Sequence, residues 1–302
     1  IFIMNLDMSA GRLAYQKEQF DRMGMAFERV PAVDGLALPR ETYERYAFQW
    51  ERPMSHSEVA CLLSHSLGWR RAAEGNGAVI MEDDQVLADE IKPVLDELGP
   101  RDGAQLFNLE AQPRLRYVAR QPSETIANVR FFELKMPTAG AGAYLVTRDA
   151  ARLLLDRLER RAAIADYFIH SAPGIRRFQA DPGLTLELRT MTGMYNIRRR
   201  PEATPVISRN NPRKNIVTRV FWAVQHPRLR LRRAASQLRL VIDKARISSS
   251  SIRRKVEPCA SILANYQAMD ALMDQKRAPA AETAMGGVCL SWRRRRHSCP
   301  CP

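Results

Sequence analysis

The sequence predicts an α/β fold: a helix-flanked sheet over residues 1–190, followed by a basic, partly helical extension. Three observations carry this. The first 35 residues alternate strand, helix and strand patterns. An apolar run ends abruptly in three consecutive acids, Glu82-Asp83-Asp84. The net charge of +14 is concentrated at one end: residues 198–302 hold 23 Lys and Arg against 6 Asp and Glu, while residues 1–197 hold 24 against 27.

Ile1 to Leu6 reads as a buried first strand, and Asp7 or Ser9 is placed to cap a helix over about Ala10 to Met23. Leu13, Phe20 and Met23 form its apolar stripe, Gly24 ends it, and Ala26 to Val30 is a second short strand. Strand, helix and strand in that order are the mark of a parallel sheet. Neither GxGxxG nor a Walker A loop is present, which argues against a Rossmann dinucleotide site or a P-loop. Residues 36–54 read as an irregular, aromatic-rich excursion whose Tyr43, Tyr46, Phe48 and Trp50 suit packing or stacking on a base or sugar.

Ser55 followed three residues later by Glu58 is a capping box, and a helix from Val59 to about Ala73 follows, with Val59, Leu62, Leu63, Ser66 and Trp69 inward. Cys61 and His65 share another face. They could be half a zinc site or a thiol with its base, but a small buried Cys beside a hydrogen-bonded His is the plainer reading. Asn76-Gly77 then turns into the apolar strand Ala78 to Met81. Buried carboxylates without partners are costly, so the three acids belong at its carboxyl end, where open α/β sheets hold their ligands. Alternation puts Glu82 and Asp84 on one face and Asp83 on the other. Such oxygen-rich groups suit a hard divalent cation, Mg or Mn, able to carry a diphosphate.

A short helix over Asp89 to Leu98, a strand over Gln105 to Glu110, a polar excursion over residues 111–128 and a strand over Phe131 to Lys135 come next. Thr138 to Gly142 is a small-residue turn that permits close backbone approach and leads into a strand reaching Thr147. Arg148 to Arg161 is an amphipathic helix. Asp166, a lone acid in apolar surroundings, is a general-base candidate or a cap for the next helix. Asp181-Pro182 turns into a strand over Leu184 to Leu188. Residues 191–215 read as a linker and 216–302 as a basic extension, weakly ordered from residue 248. Within it, Pro227 to Ile247 is a basic amphipathic helix suited to an anionic membrane surface or to docking on the body.

The 45% apolar and 26% charged content is that of a globular protein. Five thinly spread cysteines do not make a disulfide framework, which points to a reducing compartment. With no signal-peptide pattern and no apolar run long enough to span a bilayer, the expected location is cytoplasmic, with peripheral attachment to the inner membrane face through residues 216–247. The chain begins at Ile1 without an initiator Met, so an incomplete N-terminus is expected. Nucleic acid is a poor partner, because the basic stretch lacks interleaved aromatics and any recognisable reader motif.

Several strings coincide with one family. They are Asn5-Leu6-Asp7 with Ser9 and Arg12, Ala32-Val33-Asp34-Gly35, Ser57-Glu58-Val59-Ala60-Cys61-Leu62-Leu63-Ser64-His65, Glu82-Asp83-Asp84, Ala143-Tyr144-Leu145-Val146 and Asp166. Over about residues 1–190 the sequence resembles glycosyltransferase family 25, the lipooligosaccharide galactosyltransferase group with collagen-modifying relatives. It departs at Ala60, where the family commonly has Gly, and at Gln85, where an apolar residue is common. The resemblance implies a GT-A-type nucleotide-sugar fold and inverting transfer of galactose from UDP-galactose to a glycan or glycolipid hydroxyl. Mn2+, or Mg2+, would be held by Glu82 and Asp84. The donor would lie near Asn5, Leu6, Arg12, Val33, Asp34, Glu58, Ser64, His65 and Asp83, with Asp166 as base. The rival expectation is an inactive sugar-nucleotide binder anchored by its basic end.

Overall fold

The computed structural model describes residues 1–197, 227–247 and 249–277. In chain order the body runs β1 (Phe2–Asn5), α1 (Ala10–Arg22), β2 (Glu28–Pro31), α2 (Arg40–Ala47), α3 (His56–Glu74), β3 (Ala78–Glu82), β4 (Gln85–Leu87) and α4 (Ile91–Leu98). It continues with β5 (Gln105–Asn108), β6 (Gln112–Ala119), β7 (Glu124–Ile126), β8 (Val129–Glu133), β9 (Ala143–Val146), α5 (Arg148–Arg160) and α6 (Ala165–His170). It closes with β10 (Arg176–Asp181), β11 (Thr185–Glu187), α7 (Leu188–Tyr195), α8 (Pro227–Ile247), β12 (Ser251–Val256) and α9 (Ser261–Arg277).

Eight strands form one mixed sheet in the order β2-β1-β3-β9-β5-β10-β8-β7. The expected α/β class holds: β1 pairs in parallel with both β2 and β3, so the opening β-α-β unit is as predicted. Side chains alternate across the sheet and build a core on each side. Ile3, Met81 and Phe107 join one core with Tyr15 and Phe20 of α1. Met4, Ile80 and Leu106 join the other with Leu62 and Trp69 of α3 and Leu154 of α5. The capping box is formed in full: Glu58 N–H donates to Ser55 Oγ, and Ser55 N–H donates to Glu58 Oε2.

Four expectations are corrected. Residues 36–54 contain the helix α2, with Tyr46 and Ala47 buried and Tyr43 stacked on His56 at 3.7 Å between ring centres. The 111–128 excursion forms β6 and β7; β6 pairs with β12, a partner far away in sequence that no local pattern announces. The strand expected to reach Leu188 ends at Glu187, and α7 occupies the start of the expected linker.

Most consequential is the C-terminal extension, expected to be weakly ordered from residue 248. Residues 251–277 instead belong to the body: Ile262, Tyr266 and Met269 of α9 enter the α1-side core, and Asn265 Nδ2 donates to Leu87 O. Gly183 exchanges backbone bonds with Glu257 and Cys259. The helix over Pro227–Ile247 forms with the predicted ends. The remainder of the expected linker, residues 198–215, together with residues 216–226 and 278–302 of the extension, lies outside the described residues.

Candidate active site

The turn between β3 and β4 gathers the three acids where the parallel strands β1 and β3 end. Alternation carries through Glu82, which faces α3, and Asp83, which faces α1. It fails at Asp84, because Asp83 and Asp84 form a tight turn before β4 begins. Arg12 Nη1 reaches both acids of the turn, donating to Asp83 Oδ1 at 2.8 Å and to Asp84 Oδ2 at 3.3 Å, while Glu82 stays close enough to Asp84 to raise its pKa.

Helix α1 holds this turn. Gln16 Nε2 donates to the carbonyls of Asp83 and Gln85, and Gln19 bonds Gln85 O and Leu87 N. Asn5 Nδ2 donates to Asp83 Oδ2 at 2.7 Å and to Ser9 O, while Arg29 donates to Asn5 Oδ1. Both Asp83 oxygens are thus engaged by protein. Among the described residues Asp84 has only the long contact from Arg12 and one of 3.5 Å from Gln85 Nε2.

On the α3 side Glu82 meets His65 and Cys61, and their ligand atoms lie within 4.8 Å of one another. One hydrogen-bond chain accounts for the cluster. Trp69 Nε1–H donates to Tyr144 Oη, Tyr144 O–H donates to His65 Nδ1, and His65 Nε2–H donates to Glu82 Oε1 at 3.3 Å. Turning Nε2 to a metal would strand the Tyr144 hydroxyl hydrogen, so we read these groups as a support for Glu82. Burial keeps His65 neutral, its pKa lowered to about 4.

More acids converge here than the sequence reading named. Glu110, just past β5, is buried and accepts from Gly142 N at 3.0 Å and Gln112 Nε2 at 2.9 Å. Glu187 lies close enough to raise the pKa of both Glu82 and Asp84. Asp166, in the first turn of α6, accepts from Gly140 N at 3.2 Å through Oδ2, and Oδ1 has no hydrogen bond among the described residues. The turn expected to allow close approach does so: a Cβ on Gly142 would collide with the side-chain amide of Gln85. Gln85 also accepts from Thr185 Oγ1 at 2.9 Å, so the amide here is buried and bonded.

Arg116 is a third unforeseen member. Read as part of a polar excursion, it is 2% exposed, and Nη2 reaches the carbonyls of Glu110 and Ala139. Its Nε and Nη1 have no partner among the described residues.

Burial first, then mutual repulsion, raises the acids. Glu82 is pushed up to about 8 by burial, Asp166 and Glu187, and Glu110 to about 8 by burial and Glu82. Asp84 rises well above the usual carboxylate range through burial and Glu82. Unfolded, Glu82 and Glu110 would release their protons near 4.5. Between the two values the folded chain binds more protons, so stability falls as pH rises towards 8. His65 and His170, lowered by burial to about 4 and about 3, act in the opposite sense only below their ordinary 6.5. Between about pH 6.5 and 8 the carboxyl groups therefore set the slope. The melting temperature without added metal should drop by several degrees across that window. A flat or rising profile would contradict these protonation states.

The other expected donor residues divide. Leu6 lies half-buried on the loop after β1. Val33 N–H donates to Ser64 Oγ at 2.9 Å, tying the loop after β2 to α3. Asp34 caps its own loop by accepting from Leu36 N–H, away from the acid cluster's hydrogen bonds. Glu58 is held by the capping box and by Arg52 at 2.9 and 3.0 Å.

The profile of glycosyltransferase family 25 (LPS biosynthesis protein) matches residues 1–169. A putative glycosyltransferase of Haemophilus influenzae is 24% identical over 53% of this chain and 58% of its own length. A glycosyltransferase 25 family member of Anopheles gambiae is 33% identical over 28% of this chain and 16% of its own. One from Aedes aegypti is 24% identical over 55% and 30%. The chain thus spans between about one sixth and three fifths of these relatives. The solved inositol-1-phosphate CTP transferase of T. maritima aligns over 68% of this chain and 71% of its own at 10% identity, with a TM-score of 0.29, too weak a likeness to bear on the site. With more than half of its residues matched by the profile, the chain belongs to glycosyltransferase family 25.

Proposed function

We propose that this protein transfers a hexose, galactose from UDP-galactose, to a hydroxyl of a glycan such as lipooligosaccharide or LPS. One observation carries the reading beyond family membership: a knot of buried, mutually repelling acids lies at the carboxyl ends of β1 and β3. Glu82 and Asp84 fit a hard cation, Mn2+ or Mg2+. Both are raised by burial and by the neighbouring acids, and among the described residues Asp84 makes only long bonds to protein. When bound, such an ion supplies Lewis-acid neutralisation of the departing diphosphate.

The chain's own groups do the rest. Arg12 adds a fixed positive charge beside the diphosphate position, held by Asp83. Leu6 and the loop carrying Val33 flank the nucleoside, which reads this part of the sheet as GT-A-like. Asp166, anchored through one oxygen, takes the acceptor hydroxyl's proton with the other. Asn5, Ser64, His65 and Glu58 act as braces for these groups. A panel of UDP-sugars tests this directly. UDP-galactose should be cleaved fastest, and only with Mn2+ or Mg2+ present. Preference for another sugar would overturn the galactose assignment. Tight binding without turnover, with acceptor present, would mark an inactive sugar-nucleotide binder.

A further inference from the structure

Helix α8 has two apolar faces. At about 100° per residue, Leu229, Leu240 and Ile247 share one side. That side meets the body: Leu229 is buried, Leu240 and Ile247 are half-buried, and Arg232 Nη1 donates to the carbonyls of Phe48 at 3.1 Å and Gln49 at 3.2 Å. The opposite side carries Leu231, Leu238, Val241 and Ile242, which are 72%, 63%, 64% and 41% exposed. They fall within an arc of about 100°. Arg228, Arg239 and Arg246 border this stripe on one edge, and Arg230 and Lys244 on the other. Asp243, the helix's one acid, lies towards the body and is half-buried.

We infer that α8 lies in the headgroup layer of an anionic lipid bilayer, stripe inward, and presents the body to that surface. Apolar residues facing directly away from the body, rimmed by cations on both edges, match the acyl boundary beneath a negative headgroup layer. A second copy fits poorly, because closing stripe on stripe would oppose like-charged rims. No helix among the described residues is long and apolar enough to cross a membrane, so an in-plane position is the one this helix can take. The inference does not depend on the proposed sugar transfer.

The test is co-sedimentation of the full chain with vesicles of one part phosphatidylglycerol to three of phosphatidylcholine, and with phosphatidylcholine alone. The wild type should bind the mixed vesicles and not the zwitterionic ones. Leu231→Ser/Leu238→Ser/Ile242→Ser should weaken binding by roughly tenfold or more, with circular dichroism and melting unchanged. Arg230→Glu/Arg246→Glu, one cation from each edge, should weaken it similarly. Every cation of the chain is kept in the stripe variant, so wild-type binding by that variant would overturn the proposal. So would equal binding to both vesicle types, or a wild-type dimer in sedimentation that the stripe variant dissolves.

Discussion

Asp84→Asn should abolish sugar transfer while leaving the chain folded. The substitution keeps shape and volume and removes the charge. The backbone carbonyl of Asp84, which accepts from Leu188 N–H, is untouched, so the β4–β11–α7 junction survives. What is lost is a carboxylate at the end of β3 that the described residues contact only at 3.3 and 3.5 Å, the group proposed to meet the divalent ion. Removing a metal ligand at a developing negative charge costs about a thousandfold or more in kcat/KM. The measurement is turnover of UDP-galactose with acceptor at saturating Mn2+, beside a thermal melt. Turnover within a few fold of wild type, in a protein that melts normally, would remove Asp84 from the chemistry.

Arg12→Met should produce the largest loss of stability. Arg12 is 12% exposed at its side chain and contacts two acids that are themselves largely buried. Methionine fills similar space and carries no charge. Among the described residues Asp83 would keep Asn5 as partner, and Asp84 would keep only the long contact from Gln85. Stripping one partner from a buried charge network costs about 3–5 kcal/mol. The deficit should grow with pH, because the remaining acids must ionise without compensation. Added Mn2+ should restore part of it by supplying positive charge at the same place. Denaturant titration at two pH values, with and without Mn2+, reads all three effects. A loss below about 1 kcal/mol would mean that Arg12 contributes as an exposed pair does.

The sequence was most legible where local pattern and burial agree. The β1-α1-β2 unit, the Ser55–Glu58 capping box, the apolar strand ending in Glu82 and the ends of α8 follow from spacing alone. Legibility failed where the partner is distant. The β6–β12 pair joins segments more than a hundred residues apart, and its charged outward residues mimic a loop. The buried Arg116 was hidden for the same reason. Gln16 offered a usable signal: it falls in line with Leu13, Phe20 and Met23, and an amide within an apolar stripe marks a buried polar partner. Glu110 offered another, since β5, like β3, runs into an acid just past its apolar residues. The grouping of Asp83 with Asp84 was not legible, because it depends on where β3 gives way to a turn.

The central claim is that the acids around Glu82 and Asp84 take up a divalent ion together with a nucleotide sugar. Titration calorimetry of UDP-galactose into the folded wild-type chain, with and without Mn2+, tests this most directly. The account predicts saturable heat that requires Mn2+, with protons released as Glu82 and Asp84 ionise. Binding of equal strength in chelator, or no Mn2+-dependent heat with any UDP-sugar, would contradict it.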